Sequence, residues 1–252
     1  MHLDGLRAVA DCGAWYARLR RDMFDAFLAR ELSECTATFT GTRVVFTSVD
    51  NPLRLVETHA SLVATLASDA SRARWGWAVD AGPTDLSTAE LRRAAERLGL
   101  TAMSVPEMPI GPPQHPTGNV LDTLGTTLGA VAVQLLGRGP DMCVVRPDGG
   151  RDVVLLTDVA LPEPTFADFV AALPDLLADV EVGDHRVAVH GLAARRGWHI
   201  RWQTPGPAEA THRFDVTEPG ASMCLVSDGR AVTPLWFDRA GRGLTEAAEL
   251  SA

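Results

Sequence analysis

The sequence predicts an α+β protein, an antiparallel β-sheet (or sheets) with helices packed largely on one side. Three observations predict it. An amphipathic helix opens the chain, pairs of short apolar runs are joined by tight-turn residues, and two tryptophan-bearing segments alternate like strands.

In chain order, Trp15, Leu19, Met23, Phe24, Phe27, Leu28 and Leu32 recur at helical spacing, with Arg18, Arg21, Asp22, Asp25 and Arg30 opposite. Such a stripe must be buried against something, and the β-rich stretch that follows supplies it. Cys35 to Phe39 and Arg43 to Ser48 flank Gly41 as a hairpin, and Asn51-Pro52 breaks the chain. Further strands are expected at Val56 to Leu66 and Arg72 to Val79. Ser87-x-x-Glu90 has the form of a capping box for a helix that ends at Gly99. Five prolines from Pro106 to Pro116 mark an extended loop, and Val120 to Leu136 reads as a helix buried on most sides. Within it, Gly125-x-x-x-Gly129 permits close packing.

Met142 to Arg146 and Val153 to Thr157 flank a Pro-Asp-Gly-Gly turn and are apolar on both faces, as central strands are. Pro162-Glu163-Pro164 is the best boundary. Residues 1–160 are read as a helix-plus-antiparallel-sheet domain with two further helices and a hairpin. Residues 165–252 are read as a smaller helix-plus-antiparallel-sheet half, and whether the two are continuous stays open. In the second part Thr165 caps a helix, with strands near Arg186 to His190, Trp198 to Gln203, Thr211 to Val216, Met223 to Ser227 and Ala231 to Phe237. The tail after Gly243 reads as a frayed helical turn. Arg186 to Trp202 echoes Leu62 to Ala78, which leaves a degenerate duplication of one helix-plus-sheet unit open.

Composition excludes more chemistry than any motif adds. None of the 252 residues is lysine, and all 23 basic side chains are arginine. Schiff-base chemistry, phosphate-loop lysines and, with Tyr16 the only tyrosine, the Tyr-Lys pair of many nicotinamide oxidoreductases are therefore absent. A net charge of −9 argues against a nucleic-acid surface. Neither a secretory signal nor a membrane span is expected, and four scattered cysteines read as reduced thiols of a cytoplasmic protein. No cofactor or metal motif is found: the histidines lack zinc spacing, although His190, His199 and His212 could meet across strands. No G-x-S-x-G elbow exists, and Cys143 and Cys224 lie in apolar runs that favour inert thiols.

Strand alternation puts Trp75, Trp77 and Val79 on one face and Arg72, Arg74 and Gly76 on the other. It likewise groups Trp198, Ile200 and Trp202 opposite Arg195, His199 and Arg201. Buried indoles with solvated arginines are the first expectation. The functional expectation is a non-catalytic protein that binds a protein partner or small ligand. The alternative is an enzyme or sensor that holds an anionic small molecule through Arg74, His199 and Arg201. Oligomeric state is not legible.

The ordered features resemble an uncharacterised domain-of-unknown-function family, mostly from GC-rich actinobacteria. The resemblance rests on Trp15, on Trp75-Gly76-Trp77-Ala78, and on Ala89-Glu90-Leu91-Arg92 through Gly99-Leu100. The apolar helix Leu124 to Leu136 and the closing Trp236 to Arg242 complete it. The chain departs from the pattern at Val79 and Asp80, where the family often has a third tryptophan and an asparagine. The resemblance implies a soluble bacterial α+β protein and carries no catalytic residue.

Overall fold

A computed structural model describes residues 3–79, 86–110, 120–203 and 222–243. The opening helix, α1 (Leu3–Leu32), begins well before the tryptophan at which the apolar stripe becomes regular. The chain divides into two units, Met1–Ala10 with Arg20–Pro162, and Asp11–Leu19 with Glu163–Ala252. The boundary falls at Pro162/Glu163, and the middle of α1 belongs to the second unit.

The first unit holds an antiparallel sheet of seven strands. β1 (Cys35–Thr40) and β2 (Arg43–Ser48) close on Gly41, whose φ of 61° suits glycine. β2 then pairs with the long β3 (Leu55–Leu66). Over its second half β3 lies between β4 (Arg72–Trp75) and β7 (Arg151–Leu156). β5 (Glu107–Pro109) extends the β4 side, and β6 (Asp141–Val145) pairs with β7 alone. Of the two runs expected to be central, β7 is central and β6 is an edge, because only one of them meets β3.

Two helices, α2 (Leu86–Arg97) and α3 (Val120–Leu136), pack together, α3 on β6, β7 and β3. Close approach explains the glycines of α3. A Cβ on Gly125 would stand 2.6 Å from Cys143 Sγ, and one on Gly129 2.0 Å from Asp141 Oδ2. The last turns of α1 occupy the opposite face, where Phe24, Leu28 and Leu32 pack with Val44, Phe46, Ala60, Val154 and Leu156. Phe39 of β1 and Val144 of β6 join the same cluster, so strands from both edges of the sheet curl around one helix end. Helical cover is thus heavier on the α2–α3 side.

One detail differs from expectation in this unit. Ser87 lies inside α2 rather than capping it, and its hydroxyl accepts from Arg138, which also pairs with Glu90. Gly99 does take the left-handed conformation (φ 66°) just past the helix. Arg20 is buried, and its guanidinium donates to the carbonyls of Gly139 and Pro162.

The second unit contains α4 (Phe166–Asp179), α5 (His185–Arg196) and a three-stranded antiparallel sheet. Its strands are β8 (His199–Gln203), β9 (Ser222–Ser227) and β10 (Val232–Phe237), with β9 central. Thr165 and Asp168 form a reciprocal capping box, and Pro174 is accommodated inside α4. Trp15 is fully buried against Phe169 and the imidazole of His185.

The strand expected at Arg186 to His190 is instead the start of α5. Asp184 caps it, Gly197 (φ 68°) closes it, and Ala188, Val189, Leu192 and Ala193 form a buried helical stripe. The internal echo consequently pairs unlike structures, since Leu62–Leu66 is strand and 186–196 is helix. The strand expected at Thr211 to Val216 and the tail after Gly243 lie outside the described residues.

Candidate functional site

The first unit carries a cleft of about 880 Å³ lined by residues of its sheet. It begins where β3 changes neighbours. The register with β7 slips between Leu62 and Ala64, a bulge that turns the strand locally. β4 leaves β3 next to this bulge, and the chain becomes a 3₁₀ turn at Gly76–Ala78. Only glycine fits there, because a Cβ on Gly76 would lie 1.7 Å from the Leu62 carbonyl oxygen. The tryptophan pair is split as a result. Trp75 stays in the strand, fully buried, with Nε1 donating to the Ala102 carbonyl at 2.9 Å. Trp77 is carried into the turn, lines the cleft, and has the Arg92 guanidinium 4.5 Å from its ring centroid. The expectation of one shared tryptophan face is therefore corrected, since a turn has no strand alternation.

The floor is apolar and continuous with the α1 cluster, because Phe39, Ala60, Leu62, Val144 and Val154 belong to both. The β1–β2 turn and the Trp77 turn form the walls. Charge enters at the rim through Arg43, Arg146 and Asp152. Arg43 pairs with Glu57 at 2.9 Å. Arg146 pairs with Asp148, and Asp152 lies 3.7 Å from it. The Arg146 guanidinium and the Gly150 amide hold the Asp148 carboxyl below its ordinary value. Each rim cation thus already faces a carboxylate, which leaves little excess field for an incoming anion. The geometry suits enclosing an apolar body with polar groups at its mouth.

The three residues expected to contact an anion lie elsewhere. Arg74 is exposed on β4 and donates from Nε and Nη2 to the Ala78 carbonyl at 3.2 and 2.7 Å, bracing the Trp77 turn. His199 and Arg201 are exposed on one face of β8 in the second unit, and Arg195 belongs to α5. His190 also lies on α5 rather than on a strand, and His212 falls outside the described residues. Among the described residues no group of three His, Cys, Asp or Glu side chains is placed to hold a metal ion.

The thiols are poorly suited to nucleophilic attack. Burial pushes Cys143 up to about 11, helped by the Asp122 carboxylate, and burial alone pushes Cys224 up to about 12. No described helix is long and apolar enough to cross a membrane.

Sequence reasoning missed the cleft residues, although one local signal was available. A glycine inside a strand-like pattern marks a bulge or a close backbone approach, and Gly76 is such a glycine.

No curated protein and no solved structure matches the chain. A family model, described as a family of unknown function (DUF6882), matches residues 7–159, a span that contains every residue lining the cleft. The chain belongs to that family of unknown function.

Proposed function

We propose that this chain is a non-catalytic binding protein whose cleft takes a small, largely apolar and uncharged ligand. One observation carries the reading: the apolar floor formed by Phe39, Ala60, Leu62, Val144 and Val154 opens into a space of about 880 Å³. That volume lies within the roughly 300–1,000 Å³ typical of small-molecule sites. Trp77 and Phe39 supply flat apolar surface, and the paired rim charges disfavour a bare anion or cation.

The test is titration with Nile red, a neutral apolar fluorophore, on wild type and on Leu62→Trp and Val154→Phe, which fill the floor. Saturable binding in the wild type, weakened at least ~10-fold in both variants, supports the reading (about 1.4 kcal/mol per decade). Equal binding by filled and wild-type protein removes the cleft as the site.

A second reading, an anionic small molecule held by arginine and histidine, is favoured by the exposed pair His199 and Arg201 on one face of β8. Two such side chains at i and i+2 of a strand can contact one carboxylate or phosphate. Stabilisation by inorganic phosphate or citrate that disappears in His199→Ala and Arg201→Ala, or in Arg74→Ala, would support it.

A further inference from the structure

The seven-stranded sheet ends in three strands that pair on one side only, β1, β5 and β6. Open strand edges present unpaired amides and carbonyls, and proteins ordinarily block them with proline, charge or shortness. β5 has three residues, one of them Pro109, and follows Pro106. β6 is bracketed by Pro140 and Pro147 and carries the buried carboxylate of Asp141. β1, Cys-Thr-Ala-Thr-Phe-Thr, has neither proline nor charge, and four of its six residues are exposed. It is rich in the residue types that favour strands.

The direction of its free groups follows from its neighbours. The Val49 amide donates to the Glu34 carbonyl, and the Ala60 amide donates to the Thr42 carbonyl. Alternation then turns Thr36, Thr38 and Thr40 towards β2 with their main-chain groups, and turns those of Cys35, Ala37 and Phe39 outward. Among the described residues no hydrogen bond meets these outward groups.

We propose that β1 is a self-association edge, at which two copies of this chain pair β1 to β1 antiparallel with Ala37 on the two-fold axis. In that register Cys35 faces Phe39 and Ala37 faces Ala37, so all outward groups are used in about six main-chain hydrogen bonds. Thr36 faces Thr38 on the other side of the pleat, a favourable cross-strand pair. No like charges oppose one another. Glu34 faces Thr40 of the partner subunit, and Thr40 pairs within its own hairpin with Arg43. Glu34 therefore shares a sheet face with Arg43 of the partner subunit, one strand further on, and symmetry repeats this attraction at the other end. The surface is self-complementary, as a two-fold interface requires. A six-residue edge alone provides less area than a permanent dimer, so the association is reversible and depends on concentration. It is independent of what the cleft binds.

Light scattering coupled to size exclusion, run over a concentration series, reads the mass directly. Wild type is expected to rise towards twice the chain mass. Ala37→Pro, which removes an outward amide and leaves the β1–β2 bonds intact, is expected to stay at one chain mass. Thr36→Lys with Thr38→Lys sets lysines opposite each other across the axis and should do the same with an unchanged circular dichroism spectrum. This pair decides the matter if the proline variant fails to fold. Ala37→Cys in a Cys35→Ser background places two thiols across the axis at a Cα separation of about 5.5 Å, within disulfide reach. It should give a covalent dimer on mild oxidation. Wild type at one chain mass throughout, a dimer unaffected by the variants, or no crosslink at position 37 would each overturn the proposal. A foreign extended peptide that binds β1 while the chain remains monomeric would overturn it too.

Discussion

Substituting Gly129 by alanine sets two opposing effects against each other. On an exposed helix Gly→Ala stabilises by about 1 kcal/mol, because glycine loses more backbone freedom on folding. Gly129, however, faces β6. The new Cβ would stand 2.0 Å from Asp141 Oδ2, 2.7 Å from its Cγ and 3.0 Å from its Cβ. Restoring ordinary contact needs a movement of more than an ångström. Asp141 has nowhere to go, being 5% exposed with its Oδ1 3.2 Å from Arg21 Nε. Overpacking a core costs about 1–3 kcal/mol, and separating a buried carboxylate from its cation costs about 3–5 kcal/mol when the pair breaks fully. With partial separation and the propensity gain subtracted, Gly129→Ala should lose about 2–4 kcal/mol. Urea unfolding followed by tryptophan fluorescence measures it. The decisive comparison repeats the substitution in an Asp141→Gly background, where all three obstructing atoms are gone and alanine should stabilise by up to about 1 kcal/mol. The same sign in both backgrounds would refute the reasoning.

Further expectations follow from single contacts. Thr165→Ala removes the hydroxyl that accepts from the Asp168 amide and should cost about 1 kcal/mol in denaturant melts. Trp75→Phe strands the Ala102 carbonyl in the interior and should cost about 1–3 kcal/mol by the same measurement. His185 is buried with Nδ1 accepting from the Gly243 amide at 2.8 Å, and burial holds its pKa below the ordinary 6.5. Its contribution to stability is therefore complete above about 6.5 and is lost as pH falls through the lower folded value. A melting-temperature series below pH 6.5 should show a decline that His185→Gln flattens. Cys12, Cys35, Cys143 and Cys224 are all held above the ordinary thiol value, chiefly by burial, so maleimide labelling at neutral pH should be slow when native and fast in urea.

Much of the fold was legible because local pattern and tertiary demand agreed. The β1–β2 hairpin, α3, the β6–β7 pair, the Thr165 cap and the last two strands stand where turn residues and apolar periodicity put them. Failures came where a short pattern had two readings. Arg-Val-Ala-Val-His alternates like a strand, yet its valines and alanines also continue the three- and four-residue spacing of α5. Gly76 marks a close backbone approach in its own strand pattern, but its partner, the Leu62 carbonyl, is set by the fold and not by local sequence. The cleft was less legible than the fold. Its floor draws Phe39, Leu62, Val144 and Val154 from four strands up to 115 residues apart in the chain, and only register and curl bring them together.

The membership of α1 governs where the polypeptide can be divided. Trp15 and Tyr16 are counted with the second unit, the first packed on Phe169 and His185, the second donating to Glu163 with the Arg195 guanidinium over its ring. A fragment that starts at Glu163 would lack both, and would leave Phe169 and His185 without the Trp15 indole packed on them. Severing the covalent link at the proline-flanked glutamate is thus not equivalent to separating the halves. Proteolysis there should yield two peptides that travel together until denaturant is added.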